Sequence, residues 1–146
     1  MAQADQFAMG PSFEPRPGIA GWLTGTPPIL SLVAVEEGVR VVAEAGIDAI
    51  RTKSVALGEY AVERLDADLE PLGCRLGSPR DPARRGGHVA IRHPDARSLA
   101  DALIARGVIV DFREPDVIRF GLSPLTTSFA DVDRGIAALR DLLARS

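Results

Sequence analysis

Two strand-like runs, Val108–Phe112 and Val117–Leu122, are separated only by the four-residue turn Arg113-Glu114-Pro115-Asp116. So short a link returns the chain beside itself and makes the pair antiparallel, because parallel neighbours need a crossover of a dozen residues or more. Cys74–Leu76 and His88–Arg92 read as two further strands, joined by the polar loop SPRDPARRGG. His93-Pro94-Asp95 marks a turn, and Ser98–Arg106 is a short helix ended by Gly107. Phe129–Leu143 has the 3.6-residue period of a closing helix, with Val132, Ile136, Leu139, Leu142 and Leu143 on one face. The expected class is α+β: a small, mainly antiparallel sheet with helices packed on one side.

Upstream, Pro11, Pro15, Pro17, Gly18, Gly21, Gly25 and Pro27 punctuate residues 1–27 around one short apolar stretch, Ile19–Leu23. Residues 1–27 are read as an extended arm that reaches another domain or subunit, and 28–146 as the domain proper. A helix is expected to begin at Thr26-Pro27-Pro28, with Thr26 as N-cap and Pro27 at the first helical position. Its apolar residues Ile29, Leu32, Val33, Val35, Val39 and Val42 spread widely enough to predict burial on more than one side, and Gly46 is the stop. A second helix runs from about Asp48, with Ile50, Val55, Leu57, Tyr60, Ala61 and Leu65 on its buried side, and closes before Pro71.

The 146 residues suit one compact core, and 46% hydrophobic with 25% charged residues is ordinary globular composition. A net charge of −3 and 5% aromatics argue against nucleic acid or an anionic membrane as partner. Apolar runs such as Pro27–Val35 are far shorter than a bilayer span. The first ten residues have neither a basic nor an apolar signal region, so the expected compartment is the cytoplasm. The one cysteine, Cys74, lacks partners at metal-ligand spacing and reads as a small strand residue.

No GxSxG elbow, HExxH, P-loop or paired CxxC is present. His88 and His93 have no acidic partner at ligand spacing and read as one strand and one turn histidine. Of 17 basic side chains only Lys53 is a lysine, so one side-chain amine carries whatever lysine chemistry the chain has. It is expected to be a solvated helix residue, because Arg51, two positions away, points elsewhere.

Two places have more to offer. At Gly25-Thr26-Pro27-Pro28 a hydroxyl and unpaired backbone N–H groups meet at the positive end of a helix, which suits either plain capping or a bound phosphate or carboxylate. In Val117–Leu122, strand alternation sets Ile118, Phe120 and Leu122 on one face and Val117, Arg119 and Gly121 on the other. Arg119 is there either a surface arginine or a fork for a carboxylate.

The chain resembles the C-terminal portion of kynureninase, a pyridoxal-phosphate enzyme of fold type I in the aminotransferase class V superfamily. The resemblance rests on Phe7-Ala8-Met9, Pro17-Gly18-Ile19, Leu23-Thr24-Gly25-Thr26-Pro27-Pro28-Ile29-Leu30-Ser31-Leu32, Glu44-Ala45-Gly46 and Arg51-Thr52-Lys53-Ser54. It continues through Gly87–Pro94, Ala105–Ile109, Asp111-Phe112-Arg113, Pro115-Asp116, Arg119-Phe120-Gly121 and Pro124-Leu125. The resemblance implies the small C-terminal domain of such an enzyme. It also implies an intact protein that hydrolyses L-kynurenine, or 3-hydroxykynurenine, to the anthranilate and L-alanine, with the cofactor as electron sink and water attacking the γ-carbonyl.

By the same resemblance Thr26, with Gly25, contacts the cofactor phosphate of a partner subunit in a homodimer, and Arg119 binds the substrate α-carboxylate. The family's Schiff-base lysine lies in a large domain that matches nothing here, and Lys53 corresponds to a different motif. No catalytic residue is therefore assigned in this chain, and by itself it is expected to be inactive. The chain departs from the family's usual Tyr-Asn at Thr126-Thr127. That departure leaves room for another class V activity, desulfurase-like or epimerase-like. A stand-alone, non-catalytic small domain that binds a partner is the third reading.

Overall fold

The computed structural model describes residues 2–5, 7 and 10–145; Ala8 and Met9 of the Phe7-Ala8-Met9 motif lie outside them. The chain forms two compact units, residues 1–45 and 46–146.

In the first unit, residues near the start double back. Ala4 N donates to Glu14 O at 2.7 Å, Arg16 N donates to Ala2 O at 2.7 Å, and Gln3 and Pro15 form an antiparallel bridge. The apolar stretch Ile19–Leu23 falls largely within a 3-10 helix, Gly18–Trp22. Helix α1 spans Ile29–Ala45, so it starts later than the expected Thr26-Pro27-Pro28. Proline at 28 disfavours helical backbone at the residue before it, which keeps Pro27 out of the first turn. The first helical hydrogen bond closes on Pro28, its carbonyl accepting from Leu32 N at 3.0 Å. The predicted burial of α1 on more than one side is not seen, for none of its residues is buried. Leu30, Val35 and Val39 are 87%, 59% and 62% exposed. A broad apolar helix face stays wet where its own unit offers no layer to cover it.

The second unit opens at Gly46, whose φ of 77° suits glycine and ends α1 as the sequence predicts. Helix α2, Ile47–Asp68, buries Leu57, Gly58, Ala61, Val62 and Leu65. It is followed by strand β1, Arg75–Leu76, strand β2, His88–Arg92, and helix α3, Ala96–Ala105. Strands β3, Asp111–Arg113, and β4, Val117–Gly121, then lead to helix α4, Phe129–Leu143. The sheet order is β1-β2-β4-β3 and every pairing is antiparallel.

Three strands are shorter than expected, β4 by its last residue, Leu122. Cys74 precedes β1 and sits in the core. Val108–Val110 is excluded from β3, because Val108 N donates back to Leu103 O at 3.0 Å and Val110 turns inward. The α+β class holds, and α2, α3 and α4 lie on one side of the sheet. Val89, Ile91, Ile118 and Phe120 point into a single core with Leu57, Leu65, Leu103, Ile136 and Leu139. Alternate positions make up the other face of the sheet.

Helix α4 begins with a reciprocal cap: Ser128 Oγ accepts from Asp131 N at 3.2 Å, and Ser128 N donates to Asp131 Oδ2 at 2.8 Å. Hydrogen bonding from the Ser128 hydroxyl, and then from its backbone, holds the Asp131 carboxyl below the usual aspartate range. A lowered folded value means the cap's contribution is present above an unfolded value of about 3.9 and lost as pH falls through the folded one. Ser128→Ala is expected to cost about 1 kcal/mol at pH 7 in urea unfolding, with the deficit shrinking towards pH 3.

Candidate functional site

The open face of the sheet gathers the polar side of every strand. Register sets Ala90 opposite Arg119, Asp111 opposite Arg119 on the other flank, and His88 opposite Gly121. Arg119 is thus central, on a strand paired on both sides, and its side chain keeps 33% exposure. Its Nε donates to Asp111 Oδ2 at 2.9 Å, and its Nη2 donates to the same oxygen. Arg113 Nη2 lies 3.1 Å from that oxygen as well. Hydrogen bonding by Arg119 is the main cause of an Asp111 carboxyl held below its ordinary range. Partial desolvation opposes this, and the charges of Arg113, Arg119 and His88 reinforce it. A guanidinium fixed by a carboxylate on an open face can still receive a second anion.

Asp111 carried no role in the sequence reading, although a signal was there. With Arg113 opposite Val117 across the turn, an antiparallel ladder sets Asp111 opposite Arg119.

Gly25 and Thr26 belong to the first unit and Arg119 to the second. Thr26 is exposed, and among the described residues its hydroxyl has no hydrogen-bond partner. The N-cap role expected of it is not seen, since α1 starts three residues later.

Lys53 is not the solvated lysine expected. It is half-buried, and its Nζ donates to Pro124 O at 2.7 Å, tying α2 to the loop after β4. In that loop Thr126 N and Thr127 N both donate to Ser123 O, at 3.2 and 2.8 Å, so Thr126-Thr127 closes a tight turn. The polar loop SPRDPARRGG also has an inward anchor: Arg85 is buried and donates to Pro79 O and Arg80 O.

A cavity of about 460 Å³ lies at the β1 edge between Glu70, Cys74, Arg75, Ser78 and Arg80 and contains none of the predicted site residues. Burial pushes the Cys74 thiol up to about 11, so it is no nucleophile near neutrality. His88 stands on the open face of β2, and His93 follows that strand with its Nδ1 accepting from Asp95 N at 3.1 Å. Among the described residues no group of three or more His, Cys, Asp and Glu is placed to hold a metal, and no helix is long and apolar enough to cross a membrane.

Comparison with solved structures places the fold. The chain matches a cysteine desulfurase from Thermococcus onnurineus NA1 with a TM-score of 0.78 at 17% identity, over 92% of this chain and 36% of that one. An alanine–glyoxylate aminotransferase from Nostoc sp. matches at 0.66 and 25% identity, over 86% and 34%. In sequence, a kynureninase from Burkholderia mallei (strain SAVP1) is 45% identical over 137 residues, 94% of this chain and 33% of that protein. One from Pseudomonas fluorescens is 43% identical over 140 residues, 96% and 34%. The chain therefore spans about a third of the length of these relatives. The kynureninase C-terminal domain family matches residues 50–139, which takes in the whole sheet with Lys53, Asp111 and Arg119. This chain belongs to the kynureninase C-terminal domain family.

Proposed function

We propose that this chain acts as the small domain of a cytoplasmic, kynureninase-like, pyridoxal-phosphate-dependent hydrolase in tryptophan catabolism. Its substrate is L-kynurenine or 3-hydroxykynurenine, cut to the anthranilate and L-alanine. Residues 1–27 serve as the arm and 28–146 as the domain body. The observation that carries the reading is 45% identity over 94% of the chain to a kynureninase, with Arg119 held on an open sheet face.

The cofactor, when bound, withdraws electrons from the bonds at the substrate α-carbon. The residues present fit its phosphate end and not its covalent end. Lys53 is engaged by Pro124 O, so the amine that anchors the cofactor comes from the large domain acting with this chain. Thr26 offers an exposed hydroxyl, with Gly25 beside it, for the phosphate of a partner subunit. Arg119 holds the α-carboxylate and so sets the orientation of the α-carbon bonds. Lys53 keeps the Ser123–Thr127 loop against α2. Support for a homodimer comes from the first unit, where Ile19, Trp22 and Leu30 are 88%, 81% and 87% exposed.

The test is a chimera in which this chain replaces the corresponding C-terminal third of the Pseudomonas fluorescens kynureninase. Cofactor-dependent release of anthranilate from L-kynurenine is expected, with no release of alanine from cysteine. A soluble, cofactor-loaded chimera that leaves both kynurenines intact would overturn the reading. An immunoblot of the source cells separates it from a stand-alone binding domain: a band well above 15.5 kDa is expected, and a band at that mass favours the stand-alone protein.

A further inference from the structure

A guanidinium presents two edges on which a carboxylate can sit with two parallel hydrogen bonds, one formed by Nε and Nη2 and the other by Nη1 and Nη2. In Arg119 the first edge is taken, since Nε at 2.9 Å and Nη2 both donate to Asp111 Oδ2. Among the described residues Nη1 has no hydrogen-bond partner. Asp111 stands directly across the ladder from Arg119, and the arginine is flanked by β2 and β3. The lock is thus built from backbone register and does not depend on a chance meeting of two surface side chains.

We infer that Asp111 is a positioning residue: it holds Arg119 by the Nε edge and presents the Nη1–Nη2 edge, end-on, to the substrate carboxylate. The inference rests on the assignment of Arg119 to that carboxylate and adds which edge is used and what aims it.

One objection decides the test. Asp111 is itself an anion, and an anion beside the site repels an incoming carboxylate. Arg113 Nη2, 3.1 Å from the same oxygen, offsets that repulsion, because two guanidinia against one carboxylate leave the cluster positive. The two roles therefore predict opposite signs. If Asp111 acts mainly as a charge, removing it tightens carboxylate binding. If it aims the arginine, removing it frees the terminal torsions of Arg119 and weakens binding.

The experiment has two arms. In the 146-residue chain labelled with 15N, exchange of the Arg119 Nε–H with water is followed by NMR in the native sequence, Asp111→Ala and Asp111→Glu. In the chimera described above, the dissociation constant of L-alanine, which brings the carboxylate and no group to be cleaved, is measured for the same variants and for Arg119→Ala and Arg113→Ala. Aiming predicts faster Nε–H exchange and about tenfold weaker L-alanine binding in Asp111→Ala. It also predicts recovery of most of both in Asp111→Glu, and in Arg113→Ala weaker L-alanine binding, from the lost offsetting charge, with Nε–H exchange unchanged. Asp111→Ser replaces the alanine variant if that one does not fold.

Unchanged or tighter binding in Asp111→Ala, with Arg119→Ala still abolishing it, overturns the positioning role and leaves the carboxylate assignment standing. Undiminished binding in Arg119→Ala overturns the assignment and the positioning role with it.

Discussion

Arg119→Ala in the chimera is expected to raise KM for L-kynurenine about a hundredfold while kcat falls far less. The magnitude follows from the chemistry. A carboxylate on a guanidinium fork makes two charge-assisted hydrogen bonds of about 1.5–3 kcal/mol each. The Arg119 side chain is one-third exposed, so water screens part of that and the lower end applies. The loss belongs mainly in KM, because the grip is made before bond cleavage and kept through it. Arg119→Lys should recover little, since a single ammonium cannot hold Asp111 and a ligand carboxylate with the same planar geometry. The sheet should survive either change: Asp111 retains Arg113, and the buried residues of β4, Ile118 and Phe120, point to the other face. An unchanged KM for Arg119→Ala would sink the carboxylate assignment.

The second large effect is on stability. Arg85→Ala should lower the unfolding free energy by about 3 kcal/mol, read as a lower urea midpoint at unchanged slope. The Arg85 side chain is only 3% exposed. Its Nη1 donates to Pro79 O at 3.0 Å and Arg80 O at 2.9 Å, and its Nη2 donates to Glu59. Truncation leaves two loop carbonyls without their donor and a void against α2. Glu59 itself is half-exposed and can be hydrated, which keeps the cost from rising further. Gly58 belongs to the same arrangement, since a Cβ there would stand 3.1 Å from Arg85 Nε. Arg85→Lys should stay well below native stability, because one Nζ cannot reach both carbonyls and the carboxylate.

What the sequence made legible was what period and punctuation control. Helix α4 and strand β2 fall at the predicted residues, and the alternation along β4 sorts Ile118 and Phe120 from Arg119 as foreseen. Positions fixed by tertiary contact were harder to read. Lys53 looked solvated because the loop that captures it lies 71 residues away. Arg85 looked like one charge in a polar loop, since nothing local shows that its head turns inward to Glu59. The apolar residues of α1 announced burial, and sequence alone does not reveal which surface would cover them. In the candidate site, Arg119 stood out by its place in an alternating strand. Asp111 required the register of the hairpin, a two-strand property, before its partner was visible.

The location of Asp111 has a consequence for the working lifetime of the site. Arg119 rides on β4, which β2 holds through five residue pairs, whereas Asp111 rides on β3, an outermost strand of three residues paired with β4 alone. Amide protons along β3 are therefore expected to exchange through smaller local openings than those of β4. Each fraying of the short strand withdraws the carboxylate from an arginine whose own backbone has not moved. If Arg119 takes a carboxylate as proposed, the sharpness of its grip is set by the least protected strand of the sheet, well before the core is at risk.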